Sequence, residues 1–232
     1  MPKVLFKDLG EVGYQEAWDY QAVLFDKSVA KKLENRNSSE ATPPDNYFLF
    51  VEHPHVYTLG KSGSLDNLLL DEQGLKDKGA TFHKINRGGD ITYHGPGQVV
   101  GYPILDLEQF LPDIHVYLRH IEDAVIRLCA DYGVNGQRFD KYTGVWIEPG
   151  TPQERKLCAI GVKTSRWVSM HGFALNVNTN MEYFGNIVPC GIPNKDVTSL
   201  QRELGREVDM NEVKEKLKGH FTDIMGMAFE SM

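Results

Sequence analysis

The chain has 232 residues, 41% of them hydrophobic and 25% charged, an ordinary globular composition with enough length to bury a substantial core. A net charge of -7 and a pI near 5.6 point away from nucleic acid, whose binders carry a basic excess, and the lack of an apolar run of about 18 residues or of a signal-like N-terminus points away from the membrane and toward a cytoplasmic protein. Cys129, Cys158 and Cys190 form an odd set without a CxxC pair, which suggests neither a disulfide framework nor a structural zinc site.

After a short apolar segment, Val4 to Phe6, the stretch Tyr14 to Leu33 carries Trp18, Phe25, Val29 and Leu33 at helical spacing, with Ala17, Ala22 and Leu24 widening the face, and predicts a long amphipathic helix. Residues 34–46 are polar, contain two prolines and read as an exposed loop. The runs at 47–52 (YFLFVE) and 53–60 (HPHVYTLG) read as two strands separated by a proline break. His53 and His55 flank that proline without a third ligand at sensible spacing, so they read as loop residues rather than metal ligands. Lys61, Ser62 and Gly63 follow as a turn placed to lie over a pocket.

Residues 80–86 read as a strand that leads into Arg87–Gln98, RGGDITYHGPGQ. These twelve positions hold a guanidinium, a carboxylate, two hydroxyls, an imidazole and four glycines, with almost no core-forming side chain. Gly88 and Gly89 permit positive φ and close approach to bare backbone, and Gly95-Pro96-Gly97 makes a sharp reversal before a returning strand at Gln98–Leu107. The segment therefore sits at a strand-to-strand junction and reads as a ligand site. Asp113 stands as the cap of a helix with Tyr117, Ile121, Val125 and Leu128 at core spacing, among which Cys129 is a small buried hydrophobe.

The second half returns to sheet, with a hairpin from 143–148 and 155–163 and further strand at 167–177. Period-two alternation puts Lys156, Cys158, Ile160 and Val162 on one face. A lysine at the start of an apolar face either snorkels to the surface or enters a pocket with an altered pKa. Cys190, between Pro189 and Gly191 in a segment of neither period, is the better nucleophile candidate, on a loop able to offer both sulfur and a backbone N–H. Asp209 and Glu212 then cap a last helix with Val213, Leu217, Phe221 and Ile224 in its stripe. Without repeats or an internal linker, 1–232 reads as a single domain.

Three pieces, RGGDITYHGPGQ, the KLCAIG strand with HGFALNV after it, and the IVPCGI loop, together resemble the octanoyl-[acyl carrier protein]:protein octanoyltransferases, the lipoate biosynthesis protein B family, over about residues 14–204. The resemblance implies an α/β fold with a mixed β-sheet core flanked by helices, that of the biotin/lipoate protein ligase catalytic domain. It implies transfer of octanoyl from acyl carrier protein to a lysine of a lipoyl domain, with the lipoyl domains of 2-oxo acid dehydrogenases and the glycine cleavage H protein as acceptors. The family's thioester-forming cysteine and its neighbouring lysine fall on Cys190 and Lys156. Its substrate-binding segments fall on Arg87, Gly88, Gly89, Asp90, Ile91, Thr92, Tyr93 and His94, on Ala159, Ile160 and Gly161, and on His171, Gly172 and Phe173.

A free thiol has a pKa of about 8.5, so the nucleophile needs activation. Lys156 supplies it either as an ammonium that stabilises the thiolate or as a neutral amine that takes the proton. Backbone N–H groups of the glycine-rich segments are expected to hold the tetrahedral oxyanion, with His94 or His171 fixing the thioester and Ile160 and Phe173 lining an apolar slot. No metal, ATP or other cofactor is called for, because the thioester is already activated. Cys158 is the rival nucleophile on Lys156's face. An ATP-dependent lipoate or biotin ligase would read RRxSGGGAVYHD in the glycine-rich segment, an octanoyl amidotransferase keeps its cysteine elsewhere, and a non-catalytic binding module would not need both Cys190 and Lys156. Because the protein partners are acidic, Lys61, Lys84, Arg87, Lys163 and Arg166 are expected to form a basic rim.

Overall fold

A computed structural model describes residues 1–36, 39–140, 142–188 and 196–232. Its larger sheet has nine strands among the described residues. They are β1 (Lys3–Glu11), β2 (Asn46–Glu52), β6 (Gln98–Ile104), β7 (Gln137–Phe139), β8 (Tyr142–Ile147), β9 (Arg155–Ser165), β10 (Val168–Asn176), β11 (Asp196–Val197) and β12 (Ala228–Ser231). The order is β12-β1-β2-β6-β10-β9-β8-β7, with β11 pairing with β9 where β10 has ended. The contacts β12-β1-β2 and β11-β9 are parallel and the rest antiparallel. A second sheet, β4-β3-β5, is built from β3 (Val56–Leu59), β4 (Thr81–Lys84) and β5 (Ile91–His94).

Helices cover both faces of the larger sheet. α1 (Tyr14–Asn35) lies on one face through Ala17, Leu24 and Phe25, against Leu49, Val51, Val100, Tyr102, Ala174 and their neighbours. α3 (Ile114–Asp131) and α5 (Met210–Met225) lie on the other, where Ile121, Val125, Leu128, Leu217 and Phe221 enclose Phe48, Phe50, Phe173 and Leu175. Both carry the expected caps: Asp113 accepts from the N–H groups of His115 and Val116, and Asp209 from those of Asn211 and Glu212. Two short helices, α2 (Glu72–Asp77) and α4 (Leu200–Leu204), complete the chain. The mixed, helix-flanked sheet is the α/β architecture that the sequence implied.

Three elements differ from the sequence reading. The first apolar segment is only part of a nine-residue strand, and the chain ends in β12 beside it, a parallel pairing that local periodicity does not reveal. Within α1 the buried stripe runs through Gln21 and Ser28, whereas Leu33 is 39% exposed. Most consequentially, Ile91–His94 is itself a strand, paired with β3, so the Gly95–Gly97 turn carries the chain from the small sheet into the large one instead of joining two strands of one sheet.

Candidate active site

Where the small sheet faces β6, β10 and β9, a cavity of about 420 Å³ opens, walled by Tyr14, Arg87, His94, Tyr102, Lys156 and His171 among others. That is within the range of small-ligand pockets. Its existence follows from register. Ala159 pairs with Ala174 and Ala174 with Val100, making a shallow row across β9, β10 and β6 on the α1 side. The alternate pairs, Ile160 with Phe173 and Cys158 with Leu175, turn the other way into the core under α3 and α5. Ile160 and Phe173 are among the residues that line the cavity, as expected, although they also pack on that core. Phe173 stacks on Phe221, with ring centroids 5.7 Å apart, and fills the space above Gly101. Ala159, Ala174 and Val100 line the cavity with them.

The Arg87 loop rests directly on β9. Gly88 N–H donates to Val162 O at 3.0 Å, and a Cβ on Gly161 would come within 2.9 Å of Gly88 O and 3.1 Å of Arg87 Cδ, so only glycine allows this approach. The turn at 60–63 lies against the same loop: the N–H groups of Gly60, Lys61 and Ser62 donate to the carbonyls of Asp90, Arg87 and Gly89. Much of the backbone that the sequence left bare for a ligand is thus occupied by protein. Asp90 accepts from Asn67 at 2.7 Å, which fastens the loop from its other side. Arg87 is only 8% exposed and donates to Thr58 O, Thr58 Oγ1 and Gly88 O, so it belongs to the cavity wall and not to a basic rim.

Strand alternation sorts the rest of the segment. Ile91 and Tyr93 pack under the small sheet, where the Tyr93 ring stacks on Tyr183 and its hydroxyl meets His55 Nδ1 at 2.7 Å. Its phenol is held by these protein contacts, and the residue also lines the cavity. Thr92, opposite Thr58, and His94 take the other face. His94 stacks on Tyr14 at 5.9 Å and opens a line of polar contacts: Nε2 to Thr58 Oγ1 (3.4 Å), Nδ1 to Gln98 Oε1 (3.2 Å), Gln98 Nε2 to Asn176 Oδ1 (2.9 Å) and Asn176 Nδ2 to Thr198 O (3.0 Å). Burial, with His53 and Arg87 adding to it, holds the His94 pKa well below the usual imidazole value.

His171 has φ +62 and is 2% exposed, an unusual backbone for a buried non-glycine residue, and it is followed by Gly172, whose missing side chain leaves room for Gly101 O. Regular alternation would have sent the imidazole toward the α3 side with Phe173. Instead its Nε2 lies 2.9 Å from Asn86 Oδ1, while the backbone N–H of His171 donates to Gln21 on α1. Burial, then Arg87 and Lys163, lower its pKa to about 3. His53 stands beside His94, ring centroids 5.9 Å apart, with Nε2 2.7 Å from the Tyr102 hydroxyl and a pKa lowered to about 4 by burial. Tyr14 and Tyr102, both in the cavity wall, escaped the sequence reading: one opens an amphipathic helix and the other lies in an apolar strand, and only tertiary contact with the histidines marks them.

Lys156 borders the cavity with its ammonium 4.6 Å from the centroid of the Trp146 ring. Register explains how it arrives there. Val145 pairs with Cys158 but Trp146 with Lys156, so Leu157 is the extra residue of a β-bulge. Leu157 and Cys158 both turn into the core, and Lys156 falls on the opposite face. The expectation that Lys156 and Cys158 share a face is thereby corrected. Cys158 is fully buried with its thiol pKa pushed well up by burial, and burial raises that of Cys129 to about 12, so neither is an activated nucleophile. Cys190 lies outside the described residues, but Val197, a short stretch after it, pairs with Lys156, and Thr198 N–H donates to Lys156 O at 2.9 Å. Among the described residues no cluster of metal-ligating side chains occurs and no helix is long and apolar enough to cross a membrane. Of the expected rim, Lys61, Lys84 and Arg166 are exposed, whereas the Lys163 ammonium is 5.0 Å from the Phe25 ring centroid.

The lipoyl protein ligase A/B catalytic domain matches residues 13–222. The octanoyltransferase of Christiangramia forsetii is 58% identical over 223 residues, 96% of this chain and 95% of the relative, and that of Flavobacterium psychrophilum is 60% identical over 222 residues, 95% and 96% of the two chains. Among solved structures, lipoate-protein ligase A bound with ATP superposes with a TM-score of 0.70 at 13% identity, covering all of this chain and 89% of the other. A bi-partite lipoate protein ligase from Thermoplasma acidophilum gives 0.69 at 15% identity, over all of this chain and 86% of the other. These two likenesses speak to the fold.

Proposed function

The chain belongs to the lipoyl protein ligase A/B catalytic-domain family, and from that premise we propose that it is an octanoyltransferase of lipoate biosynthesis that works through an acyl-enzyme on Cys190. The donor is octanoyl-acyl carrier protein and the acceptor a lysine of a lipoyl domain, such as those of 2-oxo acid dehydrogenases or the glycine cleavage H protein. Residues 1–232 act as one catalytic domain. The Cys190 thiolate attacks the octanoyl thioester carbonyl, the tetrahedral intermediate expels the carrier thiolate, and the acceptor amine then attacks the new thioester, loses its proton and releases Cys190. Lys156 activates the thiol and later assists deprotonation of the amine. The octanoyl chain lies on the Ala159–Ala174–Val100 row, with Arg87, Thr92, His94 and His171 around the carbonyl end.

The observation that carries this reading is that Lys156 borders the same cavity as the Arg87–His94 and His171–Gly172 segments, while the two described cysteines are buried with raised pKa values. Intact mass after mixing with octanoyl-acyl carrier protein, without ATP, is the test. Wild type is expected to gain about 126 Da, one C8H14O unit, and Cys190→Ser nothing. An adduct on Cys190→Ser would move the nucleophile elsewhere, and transfer that appears only with ATP and free octanoate would make the chain a ligase.

A further inference from the structure

Glu122 lies on α3, one turn beyond Leu118 of the cavity wall, and is completely buried. A carboxylate in such a place is retained only with partners for both oxygens. Oε2 accepts from Arg119 at 2.6 Å and Arg138 at 3.0 Å, two side chains that are 44% and 36% exposed. Oε1 accepts from the backbone N–H of Gly144 at 2.9 Å. That last contact lies where the register of β8 against β9 is about to change. Gly144 precedes Val145, the last residue in phase with Cys158 before the Leu157 bulge. It has φ +130, and a Cβ there would stand 2.5 Å from Cys158 O and 3.7 Å from Lys156 Cε.

We propose that Glu122 is a positioning residue for Lys156: by holding Gly144 through its backbone N–H, the buried carboxylate fixes the bulge that turns Lys156 out of the core and into the cavity. In a regular ladder Lys156 would share the face of Cys158, with its ammonium directed into the apolar layer under α3 and α5. A bulge is a local choice between two registers, and a charge-assisted hydrogen bond from outside the strand pair selects one of them. The arginines neutralise the carboxylate, and the glycine contact does the positioning.

The inference rests on Lys156 being the group that activates Cys190, and the experiment separates the two claims. Alkylation of Cys190 by iodoacetamide, followed by peptide mass, reports thiolate reactivity and remains measurable without Lys156. Glu122→Met, which keeps volume but removes the acceptor, is expected to slow alkylation by about tenfold, whereas Glu122→Gln, which still accepts from Gly144, stays within about twofold of wild type. Arg138→Ala loses stability without slowing Cys190. In a Lys156→Ala background Glu122→Met adds no further effect, because its action runs through the missing side chain. A wild-type rate in Glu122→Met, or an equal slowing with and without Lys156, overturns the inference. A wild-type rate in Lys156→Ala overturns the role of Lys156 and the inference with it. Should Glu122→Met fail to fold, Gly144→Ala disturbs the same point from the strand side and carries the same expected outcomes.

Discussion

Along β9 and β10, the side under α3 and α5 carries Cys158, Ile160, Phe173 and Leu175, whereas the side under α1 carries Ala159, Gly161 and Ala174. Volume on the first side closes the core, and its removal on the second leaves the space in which a ligand can lie. A strand pair can thus do both tasks because successive residues point to opposite faces. The two sides should respond to substitution in opposite ways. Phe173→Ala leaves a hole beside Phe221 and is expected to lower unfolding free energy by about 3–5 kcal/mol in a urea titration while sparing the activity of the molecules that remain folded. Gly161→Val does the reverse: its Cβ pushes on Gly88 O and lifts the Arg87 loop. Octanoyl transfer kcat/KM should fall by about a hundredfold, with a stability loss limited to about 1–3 kcal/mol.

Acid should separate the two sides further, because His53, His94 and His171, the deeply buried histidines, all stand on the cavity side. An imidazole with an ordinary value of 6.5 is lowered to about 4 in His53 and about 3 in His171. The unfolded chain therefore binds protons that the folded chain refuses. Stability is full above about pH 6.5 and falls as pH drops toward about 4, each histidine adding up to about 1.4 kcal/mol per pH unit. Urea midpoints at pH 7.5 and 5.5 measure the slope, and His53→Gln should flatten it by roughly a third. An unchanged slope in that variant would mean that His53 is already protonated or already solvated.

Sequence alone made most of this architecture legible. The caps at Asp113 and Asp209, the helical stripes of α3 and α5 and the runs that became β2, β6, β9 and β10 are local patterns, and local patterns survive folding. What stayed hidden depends on partners distant along the chain. β12 exists because β1 is there to receive it, and Ile91–His94 is a strand because β3 lies beside it. Period-two reasoning misplaced Lys156 because the Leu157 bulge is set by β8 and Glu122, neither of which leaves a trace in the KLCAIG run. The same reasoning would misplace His171, whose left-handed backbone turns it out of phase with Phe173. At the site itself, the glycines of the Arg87 segment were readable as positions of close approach, but that β9 is what approaches them was not.

The line of contacts from Arg87 to Thr198 also has a direction. Both N–H groups of the Gln98 amide are taken, by Tyr93 O and Asn176 Oδ1, so the oxygen it turns to His94 can only accept. A neutral imidazole has one N–H, which must then sit on Nδ1, leaving the lone pair of Nε2 toward the Thr58 hydroxyl. That hydroxyl oxygen already accepts from Arg87, so its hydrogen points onward to His94. From guanidinium to hydroxyl, imidazole, glutamine, asparagine and finally the Thr198 carbonyl, every group donates to the next, and the aligned dipoles reinforce one another in a buried setting. The aligned line thus begins at Arg87 and ends on the stretch of chain bonded to Lys156. An electrostatic connection of this kind needs no moving part: it is written into which end of each amide faces which neighbour.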